Sequence, residues 1–269
     1  MAADRGSSPR FEDITETTGI PLSPEGASMM YTRYAMAAEL AAGKRVLELG
    51  CGSGQGFGLM AAGGARIVGG DYSHALLKSG RRYYGNRFPF VRLSGDALPF
   101  RDATFDVVLC FEASYYVPDM TRGFAEIARV LAPGGTVLFV NANPERPDFI
   151  TSPHATYYHT ADEFRAALEA LGLRVTVEGA FPVDPPATGF VGRAKAQALA
   201  LARRILEASG LVPQTLRGRA RLKRIVYGSL VQVPAELPPH FAPVAPRVLL
   251  GSGPVREFKV IYVRGDRPR

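Results

Sequence analysis

An α/β fold, its mostly parallel sheet flanked by helices on both faces, is what this sequence predicts. Three observations carry the prediction. The chain has 269 residues, 46% of them hydrophobic and 21% charged, enough for one full α/β core. Apolar runs with the length of buried strands (46–49, 65–70, 105–110, 136–140) alternate with stretches that read as helices. The first run breaks into a glycine-rich turn, Gly50-Cys51-Gly52-Ser53-Gly54-Gln55-Gly56, which opens a helix.

Glycines at 50, 52 and 54 remove the side chains that would hold a ligand off the backbone, and they tolerate positive φ. Such a turn at a helix start is expected to aim free amide N–H groups at an anion. Two phosphate-binding patterns are excluded. A P-loop needs Lys and then Ser or Thr after its glycines, whereas Gly54 is followed by Gln55-Gly56-Phe57. A dinucleotide fingerprint needs Gly-x-Gly-x-x-Gly, and Gln55 stands at its third glycine. Glu48, two residues before the turn, would repel a pyrophosphate, but it suits a ligand carrying an ammonium beside its carboxylate.

With an acidic residue ending the strand and Gly-x-Gly-x-Gly behind it, the chain resembles the class I S-adenosylmethionine-dependent methyltransferases. The resemblance implies a Rossmann-like, seven-stranded, mostly parallel sheet, with S-adenosyl-L-methionine as cofactor and S-adenosyl-L-homocysteine as product. It gives Glu48, Gly50, Cys51, Gly52 and Gly54 to the cofactor's methionine end. Asp71, 21 residues past Gly50, ends the second strand where nucleotide-binding βαβ units grip a ribose. Capping of a helix at 74–84 is its structural alternative. Tyr72 would then lie against the adenine or ribose. In the stretch 93–100, Asp96 and the backbone of Ala97 inherit contact with the adenine amino group. Phe111 and Glu112 leave the carboxyl end of the strand at 105–110, where open α/β sheets bind ligands. Pro133-Gly134-Gly135 looks like the family's helix-to-strand turn.

The segment 25–40 reads as a helix rich in Met and Tyr. In related enzymes such a segment closes over the cofactor, so Tyr31 or Tyr34 is expected to touch the methionine end, with plain helix packing as the alternative. Residues 1–16 are polar and read as a frayed tail. Thr160-Ala161-Asp162-Glu163 has the capping-box pattern and opens a helix ended by Gly172. Strands are expected at 173–181 and at 256–264, the latter closing the sheet as an edge. The division is thus a tail and lid helix (1–42), a cofactor-binding core (43–181), a mainly helical basic insertion (182–254) and a closing edge strand with tail (255–269). Within the insertion, helices are expected near 188–208 and 214–229, followed by a proline-rich stretch at 234–246.

Charge is uneven: −3 over residues 1–180 and +10 over 181–269. Arg217, Arg219, Arg221, Lys223 and Arg224 share one expected helix, either as a solvated face or as a surface for an acidic small molecule or one tethered to a carrier protein. No nucleic-acid motif accompanies them. No apolar run approaches the ~20 residues of a membrane span, and the start lacks a signal-peptide pattern. Cys51 and Cys110 read as reduced thiols, so a cytoplasmic setting is expected. A homodimer is compatible with all of this. The four histidines and two cysteines show no metal-ligand spacing.

Methyl transfer asks a protein to orient two reactants, exclude water and take up a proton where the nucleophile carries one. Relatives that methylate sugars and small natural products often have a His pair after the fourth strand. Here Tyr115 and Tyr116 stand there, and tyrosine near pKa 10 is a poor base. They are expected to shape the pocket, with catalysis as their second role. His154 is the leading candidate base because histidine titrates in range, whereas His159, next to the capping Thr160, reads as structural. The expectation is O-methylation of a small molecule in sugar or secondary-metabolite biosynthesis. The alternatives are N- or C-methyl transfer, a cofactor-binding scaffold without catalysis, and an NAD-dependent enzyme, which Glu48 and Gln55 disfavour.

Overall fold

The structure, a computed structural model, describes residues 16–183 and 230–269. Its elements in chain order are β1 (Pro21–Leu22), α1 (Pro24–Ala41), β2 (Arg45–Leu49), α2 (Phe57–Ala61), β3 (Arg66–Asp71), α3 (His74–Tyr84), β4 (Phe90–Arg92), β5 (Phe105–Phe111), α4 (Met120–Val130), β6 (Leu131–Ala142), α5 (Ala161–Ala170), β7 (Arg174–Pro182), β8 (Val231–Gln232), β9 (Val248–Leu249) and β10 (Phe258–Asp266). The main sheet runs β4-β3-β2-β5-β6-β10-β7-β9, parallel from β4 through β6 and antiparallel beyond. Seven strands form the expected sheet, and the two-residue β9 adds an eighth.

Because successive strand residues point to opposite faces, the apolar runs build two cores. Val46, Ile67, Val107, Leu109 and Leu138 face Met30, Tyr34 and Ala37 of α1, Phe57 and Met60 of α2, and Leu77 of α3. Leu47, Val108, Cys110, Val137 and Phe139 face Phe124 and Ile127 of α4 and Phe164 and Leu168 of α5. The capping box forms as read: Glu163 N–H donates to Thr160 Oγ1, and Thr160 N–H donates to Glu163 Oε2.

α1 starts at Pro24 behind the Ser23 cap and is buried on more than one side, with 30–34 all inside. Its second cover is the segment 240–245. His240 N–H donates to Tyr31 Oη, Ala245 N–H donates to Thr32 Oγ1, and Ser28 Oγ donates to the Pro243 carbonyl.

One expectation is corrected. β10 is not an edge strand; it lies between β6 and β7 and pairs with both. The alternation of 256–264 suggested one wet face, but Ile261 is fully buried, and Lys259 is 7% exposed with its Nζ 2.8 Å from Glu25 Oε1. A buried lysine, paired with an exposed carboxylate, thus hides behind a polar letter. The helices expected near 188–208 and 214–229, with their arginines, lie outside the described residues, as does the tail before Glu16. Glu16 itself is held by Arg33. Among the described residues, no helix is long and apolar enough to cross a membrane.

An interior β10 makes Ile261→Ala a core deletion. It should lower unfolding free energy by about 2–5 kcal/mol, read from the denaturant midpoint. A loss below about 1 kcal/mol would place the strand at a solvated edge.

Candidate active site

Strand order reverses between β2 and β5, and open α/β sheets bind ligands outside the carboxyl ends of their strands at such a point. A cavity of about 460 Å³ opens there, within the usual size range of small-molecule sites. The glycine turn after β2 lines it through Gly50, Cys51, Gly52 and Gln55. β3 contributes Asp71 and the adjoining Tyr72, and the turn after β4 contributes Ser94 and Gly95. Phe111, Glu112, Ala113, Tyr115, Tyr116 and Val117 follow β5; Met30, Arg33 and Tyr34 come from α1, and His154 and Thr156 from the loop before α5.

The turn needs its glycines. Gly50, Gly52 and Gly54 all have positive φ (68°, 56° and 79°). A Cβ on Gly50 would sit 2.2 Å from Ala113 Cβ, and one on Gly56 would sit 2.0 Å from the Tyr34 ring. Four of the turn's amides are engaged within the protein. Gly50 and Cys51 N–H donate to the Gly70 carbonyl, Gly52 N–H to Asp71 Oδ2, and Gly54 N–H to the Cys51 carbonyl. The turn therefore offers a ligand space without those four donors. Asp71 fixes the turn while also accepting from Ser73 N–H, and the cap of α3 is Ser73, not Asp71.

Charge enters from α1. Tyr34 Oη donates to Glu48 Oε1 at 2.7 Å, and Glu48 Oε2 is buried with no partner. Burial pushes the Glu48 carboxyl up to about 7, aided by the nearby Asp71 and opposed by Tyr34 and Arg33. Arg33, also buried, donates through Nη2 to Glu16 Oε2, and its Nε is buried without a partner. Among the described residues, one Glu48 oxygen and one Arg33 N–H near the bare turn are thus left without partners.

The opposite end is built from hydroxyls. Glu112 stands at φ 49°, a strained setting for a residue with a Cβ. Its Oε2 accepts from Tyr115 Oη (2.8 Å) and from Ala142 N–H (3.2 Å), and burial pushes its carboxyl up. The Tyr115 ring stacks on Tyr158 at 4.2 Å, and Tyr116 Oη shares a hydrogen bond with Ser152 Oγ. Burial drives the Tyr115 phenol far up and the Tyr116 phenol to about 12, which keeps both protonated at neutral pH. Thr156 N–H and Oγ1 clamp the 150s loop to the Tyr115 carbonyl, which brings His154, at φ 66°, to the cavity. His159 is packed against Phe124 and Phe164, and burial pushes its imidazole down.

Of the residues named from sequence, Gly50, Cys51, Gly52, Asp71, Tyr72, Phe111, Glu112, Tyr34, Tyr115, Tyr116 and His154 share the cavity wall. Glu48, Gly54, Asp96, Ala97 and Tyr31 are not in it. Glu48 is buried and hydrogen-bonded to the wall residue Tyr34, while Gly54 backs onto Phe57 and Phe90. Asp96 and Ala97 belong to the turn whose Ser94 and Gly95 do line the wall, and Tyr31 holds the covering segment at His240. Arg33, Glu16 and Gln55 were missed. A lone arginine inside the apolar run 29–38 was the available signal for the first.

The donor set suits a nucleoside bearing an amino acid: a buried carboxyl and a buried guanidinium, each with one atom unpartnered among the described residues, a turn stripped of side chains, and one carboxylate ending β3. These features fit the resemblance of the sequence to the class I S-adenosylmethionine-dependent methyltransferases. Comparison with known proteins agrees: residues 47–139 match the methyltransferase domain family. Over 118 residues the chain is 42% identical to phthiotriol/phenolphthiotriol dimycocerosates methyltransferase 1 of Mycobacterium ulcerans, covering 43% of each chain. It is 37% identical over 99 residues to a demethylmenaquinone methyltransferase of Clavibacter sepedonicus, covering 36% of this chain and 40% of that one. The matches span less than half the length of either relative. The crystal structure of an S-adenosylmethionine-dependent methyltransferase from Mesorhizobium loti superposes with a TM-score of 0.54 at 17% identity, covering 91% of this chain and all of that one. Residues 47–139 thus carry the match to the methyltransferase domain, and the chain shares the fold of the Mesorhizobium loti protein.

A carboxyl raised from 4.5 to about 7 keeps its proton in the folded state over a range where the unfolded chain has lost it. Ligand-free stability should therefore fall as pH climbs from about 4.5 to about 7. Glu48→Gln should flatten that slope in denaturant melts taken across the window. Equal slopes in both proteins would remove Glu48 as the titrating group.

Proposed function

We propose that this protein transfers a methyl group from S-adenosylmethionine to a hydroxyl oxygen of an apolar small molecule in biosynthesis. The observation that carries the reading is a cavity lined by Arg33 and the glycine turn, with Glu48 one hydrogen bond behind its wall at Tyr34, and a carboxyl–phenol cluster after β5. Relatives named for methylating phthiotriol dimycocerosates and demethylmenaquinone support a small-molecule acceptor.

When bound, the cofactor supplies an electrophilic methyl group on a sulfonium centre. The chain does the rest. Arg33, on the cavity wall with its Nε unpartnered among the described residues, holds the amino acid's carboxylate, and Glu48 receives the ammonium. Asp71, on the cavity wall at the end of β3, faces the ribose hydroxyls while it holds the Gly52 and Ser73 N–H groups. Glu112 takes the acceptor's proton at Oε1, its Oε2 being used by Tyr115 and Ala142. Tyr115 and Tyr116 orient the acceptor by donating to it, and His154 is the second candidate base. Cys51 and Cys110 are buried free thiols, which suits a reducing cytoplasm. An acidic or carrier-tethered acceptor would have to meet the basic insertion outside the described residues.

Two measurements test this. Arg33→Gln should weaken S-adenosylhomocysteine binding roughly tenfold to a hundredfold, the worth of a charged hydrogen bond. It should leave 5′-methylthioadenosine, which lacks the amino acid, within about twofold; equal losses for both ligands would dismiss Arg33 from the carboxylate. In a labelled-methyl assay over apolar hydroxylated acceptors, Glu112→Gln should lower kcat about 10²-fold or more at unchanged cofactor affinity. Loss in His154→Ala with Glu112→Gln fully active would transfer the role to the histidine.

A further inference from the structure

We propose that Glu16 sets the affinity for carboxylate-bearing ligands by occupying Arg33 until the ligand's own carboxylate takes its place. The inference rests on the reading of Arg33 above. The two partners are unequally placed: the Arg33 side chain is 8% exposed and that of Glu16 is 31% exposed. A buried guanidinium is costly to leave unpaired, whereas a carboxylate at the cavity rim can return to water. Glu16 uses only the Nη2 end of the fork, and the buried Nε stays without a partner. Its carboxylate lines the same cavity as the glycine turn. It is thus a tethered carboxylate on a cation that a free one would seek.

The tether is built to hold the backbone still while the side chain leaves. Gln55, in the glycine turn, donates through Nε2 to the Glu16 carbonyl at 2.9 Å, and its own carbonyl accepts from Leu237 N–H at 2.7 Å. Gly19 N–H donates to the Val233 carbonyl, Val233 N–H donates to the Ile20 carbonyl, and β1 pairs antiparallel with β8. The segments 16–22 and 231–237 therefore form one strap fastened to the turn. Rotation of the Glu16 side chain alone would free Arg33. Glu112, the other carboxylate whose charge bears on Arg33, is already engaged by Tyr115 and Ala142. An incoming carboxylate then exchanges one ion pair for another, so its net gain is small while Glu16 is present. With that charge removed, Arg33 waits under-partnered and the gain is larger.

Calorimetry on the full chain and on Glu16→Gln, with S-adenosylhomocysteine and 5′-methylthioadenosine as probes, tests the proposal. The variant should bind S-adenosylhomocysteine about fivefold or more tighter, the fold-change expected when a competing charge is removed. Its 5′-methylthioadenosine affinity should stay within about twofold of wild type. Glu16→Asp, which keeps the charge on a shorter arm, should fall between the two proteins. Unchanged S-adenosylhomocysteine affinity in Glu16→Gln overturns the exchange, and weaker binding overturns it by making Glu16 a ligand contact. Parallel changes for both probes overturn it as a disturbance of the strap. Failure of both probes to bind the wild type overturns the cofactor reading, and the inference with it.

Discussion

Glu48 is a carboxyl group held out of reach of water at the end of a central strand, and the site is organised around how that group is tolerated. One of its oxygens is satisfied by the Tyr34 hydroxyl and the other by nothing among the described residues. That single bond ties α1 to β2. It also requires Gly56 to be bare, since the Tyr34 ring fills the space of any side chain there. The neighbouring residue on the helix, Arg33, is carried to the same wall as a consequence. A helix that covers the pocket thus delivers both a cap for one buried charge and a second charge of opposite sign.

The glycine turn takes its meaning from the same constraint. With four of its amides engaged by Gly70, Asp71 and Cys51, the turn lets a ligand come close without offering it those donors. Electrostatic selectivity then falls to side chains, at opposite unpaired ends of Glu48 and Arg33. A diphosphate would meet a carboxyl it repels, whereas an amino acid would meet both complements.

Much of this was legible in the sequence where local rules decide. The strands at 46–49, 105–110 and 136–140, the cap at Thr160, the helices at 25–40 and 74–84, and the Gly-x-Gly-x-Gly turn all follow from short-range pattern and positive φ. The gathering of Asp71, Glu112, Tyr115 and Tyr116 on one wall follows from strand ends. Contacts between distant segments were not legible. Lys259 reads as a solvated residue until the fold buries it beneath Glu25, an exposed residue over two hundred positions away that pairs with it. The role of Gln55 as a double latch depends on residues 16 and 237, and the state of the turn's amides depends on the neighbouring strand. Arg33 was visible as an isolated charge in an apolar helix, but its direction came only with the fold.

The most direct measurement of the central claim is the proton count on binding. Calorimetry of S-adenosylhomocysteine at pH 6, repeated in buffers of different ionisation enthalpy, reports protons released as the ligand's ammonium settles beside a carboxyl that titrates near 7. The account predicts release approaching one proton for the wild type and none for Glu48→Gln. Tight binding with no release from the wild type would contradict it.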